Sequence, residues 1–226
     1  VGQESSSYRV NGEIPVIPLE SFSDEVASAM EDVSQKMEEQ DLYLNSSPGY
    51  WLRTFDRWAD CEEFIGFPLN NPLEKSSLLE TANYFAIAQD AETLNEESQR
   101  HCAVALQGNI KGELQHVTID TGYLMGPIRI QMTVSLYPEG SGMEPGTGGS
   151  WNGEAEFEIT SGVTGEGIPY TLVVSETPES DYYNDFSSAD AYFVLKNGLY
   201  TLDAVSPGRD SGADAKAALE ELLALF

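Results

Sequence analysis

The residue types able to do chemistry are few here: two histidines, His101 and His116, two cysteines, Cys61 and Cys102, and a large number of carboxylates. His101 and Cys102 are neighbours, the composition of a thiol and its general base. On a strand, however, adjacent side chains point to opposite faces, so the two do not meet as a dyad. His116 lies fifteen positions further on, and no helical spacing brings both imidazoles onto one metal. Gly148-Gly149-Ser150-Trp151-Asn152 begins like the turn that presents a nucleophilic serine, but Asn152 stands where the second flanking glycine belongs. Gly165-Glu166-Gly167-Ile168-Pro169-Tyr170 holds two glycines of a dinucleotide-binding loop, lacks the third, and has Pro169 where the helix would start. In Asp181-Tyr182-Tyr183-Asn184-Asp185-Phe186, a calcium loop would need an oxygen ligand in place of Tyr183 and glycine in place of Phe186. Carboxylates are so abundant that choosing two for acid–base work would be arbitrary without a cleft to hold them. The expectation is therefore no catalytic residue, no cofactor and no metal ligand. Tyr182, Tyr183 and Phe186 suit a recognition surface, because aromatic rings offer large contact area at little entropic cost; the other use for them is core packing beside a hairpin.

The elements that would hold these residues change character along the chain. Residues 1–20 read as a linker or extended segment, with the polar run from Gln3 to Ser7 of the kind that joins an extracytoplasmic domain to an anchor. A helical segment over 21–49 follows: Ser21 or Ser23 caps a helix, Asp24 and Glu25 favour its positive end, and Val26, Met30, Val33 and Met37 form its apolar stripe. The rest, 50–226, forms an α+β domain. Its short second helix spans residues 57–65, capped by Asp56, with Trp58, Cys61 and Ile65 inward; Gly66 ends it and Pro68 prevents its resumption.

From about residue 84 to 205 the apolar period is two. Ile128, Ile130, Met132, Val134 and Leu136 alternate with polar residues, as do Ala155, Phe157 and Ile159, Val117 and Ile119, and Ile168, Tyr170, Leu172 and Val174. One-sided alternation predicts an antiparallel sheet, since a parallel sheet covered on both faces would carry continuous apolar runs. Asn197-Gly198 predicts a two-residue hairpin turn. The glycine-rich stretch 140–153 reads as a long exposed loop, and residues 213–225 as a closing amphipathic helix. The fold class is thus an antiparallel β-sheet with an N-terminal helix, a short second helix and a C-terminal helix packed mainly on one face.

Composition limits the partners. With 38 Asp plus Glu against 11 Lys plus Arg, the formal charge of the 226-residue chain is -27. Nucleic acid and anionic membrane surfaces, which both select cationic patches, are disfavoured. No apolar run approaches the ~20 residues needed to span a bilayer, so contact with a membrane is expected only through an anchor outside this chain. The first residue is Val1 and the opening lacks the basic start and apolar stretch of a signal peptide, consistent with a piece of a longer precursor. Cys61 and Cys102 either remain buried thiols or form one bridge from helix to strand. Asn45-Ser46-Ser47 fits the glycosylation acceptor pattern.

Two stretches carry a resemblance. Phe55-Asp56-Arg57-Trp58-Ala59-Asp60-Cys61-Glu62-Glu63-Phe64-Ile65-Gly66-Phe67-Pro68-Leu69 resembles the short acidic helix, then Gly-Phe-Pro-Leu, that opens a family of uncharacterised extracytoplasmic domains in Gram-positive bacteria. Tyr192-Phe193-Val194-Leu195-Lys196-Asn197-Gly198-Leu199-Tyr200-Thr201-Leu202, followed by a terminal amphipathic helix, is similar to the end of the same domains. The resemblance implies a position outside the membrane, often behind an anti-sigma-factor-like or other regulatory anchor, with no established catalytic residues to carry over. The expected function is a non-catalytic extracytoplasmic sensing or protein-interaction domain of a membrane-anchored or secreted bacterial protein, recognising an envelope protein or ligand. An alternative is a carrier that holds an apolar ligand between sheet and helices, lined by Met125, Met132 and aromatic residues. A hydrolase ranks below both, and would need titratable groups with shifted pKa values gathered in a cleft.

Overall fold

The computed structural model describes residues 5–10, 15–31, 43–44, 50–90, 100–111, 128–139, 147–152, 155–176, 186–208 and 211–226. In chain order the elements are β1 (Ser5–Val10), β2 (Val16–Ile17), α1 (Asp24–Glu31), β3 (Tyr43–Leu44), β4 (Tyr50–Phe55), α2 (Trp58–Ile65), β5 (Leu79–Asp90), β6 (Arg100–Ile110) and β7 (Arg129–Pro138). They continue with β8 (Thr147–Asn152), β9 (Glu156–Val163), β10 (Pro169–Glu176), β11 (Phe186–Leu195), β12 (Gly198–Pro207) and α3 (Gly212–Leu223). The strands form one large sheet in the order β3-β4-β5-β6-β7-β12-β11-β10-β9, each neighbour antiparallel, and β2 adds a short parallel bridge at the end of β7. The predicted antiparallel sheet is present.

The main core follows from the period-two pattern. Ala86, Val104, Val134, Tyr200 and Phe193 are successive cross-strand neighbours in one row, and all are buried. Val26 and Met30 of α1, Trp58, Cys61, Phe64 and Ile65 of α2, and Ala215, Leu219, Leu222 and Leu223 of α3 belong to the same continuous cluster. The α1 helix, in the segment 21–49, thus shares its burial with the sheet. Val33, Met37, Val117 and Ile119 lie outside the described residues.

Helix ends follow the local signals in part. Ser23 caps α1, its Oγ accepting from the Val26 amide at 3.3 Å, and the same hydroxyl donates to the Phe64 carbonyl of α2. Gly66 ends α2 with φ of +98°; an added Cβ would lie 2.7 Å from the Ser23 amide nitrogen, so this glycine is required by both its backbone angle and its close approach. Asp56 does not cap α2. Arg57 occupies that position in an extended conformation, without a side-chain capping bond, and its guanidinium instead pairs with Asp60.

Four expectations change in the folded chain. The stretch read as a loop over 140–153 contains a strand, β8, which pairs with β1 of the segment read as linker or extended. Glycines make this pairing possible: a Cβ on Gly148 would stand 2.3 Å from the Tyr8 carbonyl oxygen, and one on Gly149 would meet the Tyr8 ring at 2.8 Å. The two-residue turn between β11 and β12 is Lys196–Asn197, because Leu195 pairs with Gly198. Gly198 is a strand residue, needed because a Cβ there would lie 2.4 Å from Val134 Cγ1. In β9 the alternation is present but faces the other way: Phe157 packs with Tyr8 rather than in the main core, while Glu158 lies on the side of α3, near Lys216. Finally, the sheet is not wet on its second face throughout. Tyr8, Val173 and Tyr192 form a separate buried cluster there, joined by Val10 and Phe157, under the β1–β8 ribbon.

Candidate functional site

Beside the residues that the ribbon covers, the second face holds a groove of about 530 Å³. Strand register dictates its floor. Gln107 of β6 lies opposite Gln131 of β7, which lies opposite Asp203 of β12, which lies opposite Asp190 of β11. Since residues two apart share a face, Asn109, Arg129 and Val205 form the adjacent row and line the same groove. Gln107 Nε2 donates to Gln131 Oε1 at 2.7 Å, and Gln131 Nε2 donates to Thr133 Oγ1 at 3.2 Å, so the amides are held in one orientation.

The Asp190 and Asp203 carboxyls are hydrogen-bonded to each other. Tyr8, brought over the sheet by β1, donates its phenolic proton to Asp190 Oδ2 at 2.8 Å. Its oxygen is 2.5 Å from the Tyr192 hydroxyl. With the Tyr8 proton committed to Asp190, Tyr192 is the donor to Tyr8. Burial raises the pKa of both carboxyls, and Asp203 lies well above the usual carboxylate range because the Asp190 charge adds to its burial. Two carboxyls in contact cannot both ionise cheaply, so the pair retains one proton and behaves as a single titrating unit. The Tyr8 and Tyr192 hydroxyls are both pushed up, first by burial; the Asp190 charge and the bond to Tyr192 raise Tyr8 further, whereas the bond to Tyr8 partly offsets the rise at Tyr192. The protons of this unit are held within it, so what it offers the groove is carboxyl oxygen lone pairs as acceptor sites.

The residues singled out from the sequence are placed unevenly. Phe186, at the start of β11, lines this groove; Tyr182 and Tyr183 lie outside the described residues. His101 and Cys102 are successive residues of β6, and His116 lies outside the described residues. Cys61 and Cys102 are buried free thiols, both pushed up to about 12, chiefly by burial, and therefore poor nucleophiles. Ser150 is a β8 residue, and Gly165 and Gly167 belong to the connection between β9 and β10. Asn45 and residues 181–185 fall outside the described residues. Met132 is fully buried in the main core, and Met125 lies outside the described residues. Among the described residues, no group of three or more His, Cys, Asp or Glu is arranged to hold a metal, and no helix is long and apolar enough to cross a membrane.

Asp190, Asp203 and Tyr8 were not legible as a site. Asp190 sits between Ala189 and Ala191 and Asp203 between Leu202 and Ala204, each in an ordinary alternating strand, and the correct hairpin register is what sets them opposite one another. A turn at Asn197–Gly198 would have placed Asp190 opposite Val205. Comparison with known protein families, characterised proteins and solved structures finds no match for this chain.

Proposed function

We propose that this chain is a non-catalytic recognition domain displayed outside the cytoplasm by a membrane-anchored or secreted bacterial protein, and that its ligand rests in the groove beside Asp190 and Asp203. The resemblance of its α2 and β11–β12 sequences to extracytoplasmic domains supports the location. The single observation that carries the binding role is the polar row Gln107, Gln131, Asp203 and Asp190, set side by side by strand register and lining one groove. The carboxyl pair with one retained proton carries one negative charge, and Arg129 in the same groove carries one positive charge. A neutral ligand that both donates and accepts hydrogen bonds fits this balance better than an ion, and a saccharide, whose apolar ring faces would meet Phe186 at the rim, has that chemistry.

Titration of the isotopically labelled domain with neutral oligosaccharides tests the reading. Shifts at the amides of Gln107, Gln131 and Asp203, weakened in Gln131→Ala, are expected; a panel that moves none of them refutes the groove as the seat. Protease accessibility of the domain on intact cells that make the protein tests the location, and full protection would exclude it.

The same carboxyl pair favours a second reading, a hydrolase in which one acid and one base share a proton beside a groove. Hydrolytic turnover that disappears in Asp203→Asn would establish it. Against that reading, Asp190 already accepts from Tyr8 and bonds Asp203, so both carboxyls are engaged within the protein.

A further inference from the structure

The last strand of the large sheet, β9, has no strand beyond it among the described residues. An edge strand exposes unpaired backbone donors and acceptors, which another extended chain can satisfy. We propose that the free edge of β9 docks an extended polypeptide segment in which cationic and apolar side chains alternate.

The two sides of β9 specify this partner. Towards α3 the strand presents Glu156 and Glu158, and these line a pocket of about 390 Å³ together with Glu176, Val174, Gly212 and Lys216. Three carboxylates there face one amine; Lys216 reaches Glu158 only at 3.8 Å, and Glu176 is also bound to the Gly212 amide at 3.1 Å. A strand added beyond β9 would lie ~4.8 Å away, with alternate side chains directed to this side, so a lysine or arginine there reaches the pocket mouth. On the other side, Ile159 is 55% exposed and Val163 is 65% exposed, in a row where apolar partners would be covered.

Charge on an edge strand also serves to prevent unwanted pairing. Glutamates do so selectively. They repel acidic strands, including a second copy of this chain with its charge of -27, and leave the edge open to a cationic one. The recognition is therefore carried by backbone pairing for affinity and by the Glu156/Glu158 row for choice of partner. It is independent of the groove on the sheet's second face.

Three synthetic octapeptides, matched to the eight residues of β9, test the proposal: alternating Lys-Val, alternating Glu-Val, and a block of lysines followed by a block of valines. Fluorescence anisotropy reads affinity and amide hydrogen exchange reads location. The alternating Lys-Val peptide should bind and slow exchange in β9, and the Glu-Val peptide should not. In the Glu156→Lys/Glu158→Lys variant the preference should reverse, with Lys-Val affinity falling about tenfold or more. Ile159→Ser should weaken the same peptide without changing charge. Equal binding of the block peptide, protection centred elsewhere, or Lys-Val affinity unchanged by both variants would overturn the proposal and show only general attraction to an acidic protein.

Discussion

Asp190 and Asp203 are held together by the β11–β12 register and covered by Tyr8, and their chemistry follows from that enclosure. Both folded-state pKa values are raised above the ordinary ~3.9 of an aspartate. Above about pH 4 the folded protein therefore binds more protons than the unfolded chain, and linkage requires stability to fall as pH rises through the folded values. The stabilisation from the pair is complete below that point. In Asp203→Asn this part of the fall is expected to vanish, with the variant gaining on the wild type as pH increases. Urea midpoints measured across the range provide the check, and parallel curves for the two proteins would locate the pH dependence elsewhere. Gly198 shows the opposite constraint, one of volume. Gly198→Ala would push a methyl group to 2.4 Å from Val134 Cγ1, and a destabilisation of about 1–3 kcal/mol is expected from overpacking. A denaturation midpoint equal to the wild type's would mean that β7 shifts freely.

Among the elements, α3 and the chain end illustrate how a helix is fixed to the sheet. Phe226 is buried against Phe193 and Tyr200, with ring centroids 5.0 and 5.8 Å away, and its carbonyl accepts from the Glu166 amide at 2.8 Å. The ring thus ties Phe226 to β11 and β12, and the backbone carbonyl ties it to the β9–β10 connection. Phe226→Ala should cost about 3–5 kcal/mol, the usual range for emptying a buried aromatic site. Chemical denaturation measures it, and a loss below 1 kcal/mol on that ~3–5 scale would mean that the neighbours collapse into the space. The β1–β8 ribbon is an element of another kind: its interior glycines leave little side chain to bury, and Tyr8 supplies much of its attachment to the sheet through one ring and one hydroxyl.

For the whole molecule, the charge of -27 opposes compaction, and the effect is screened as the Debye length shrinks from ~30 Å at 0.01 M salt to ~3 Å at 1 M. The melting temperature should rise with sodium chloride over that range; a fall would show that attractive ion pairs, such as Arg53–Glu25 at 2.6 Å, outweigh the repulsion. Much of the architecture was legible in the residues. The alternation over Ile128–Leu136, the inward Trp58, Cys61 and Ile65, and the stop at Gly66 are local consequences of period, burial and backbone freedom, so the chain alone determined a mainly antiparallel sheet with short helices. Tertiary structure decided which strand faces which. It placed a glycine-rich stretch into a ribbon, turned Phe157 away from the main core, and joined two unremarkable aspartates across a hairpin. Those outcomes depend on contacts between residues as far apart as Tyr8 and Asp190, and on a register in which moving the turn by one residue changes every partner; periodicity within a strand carries neither.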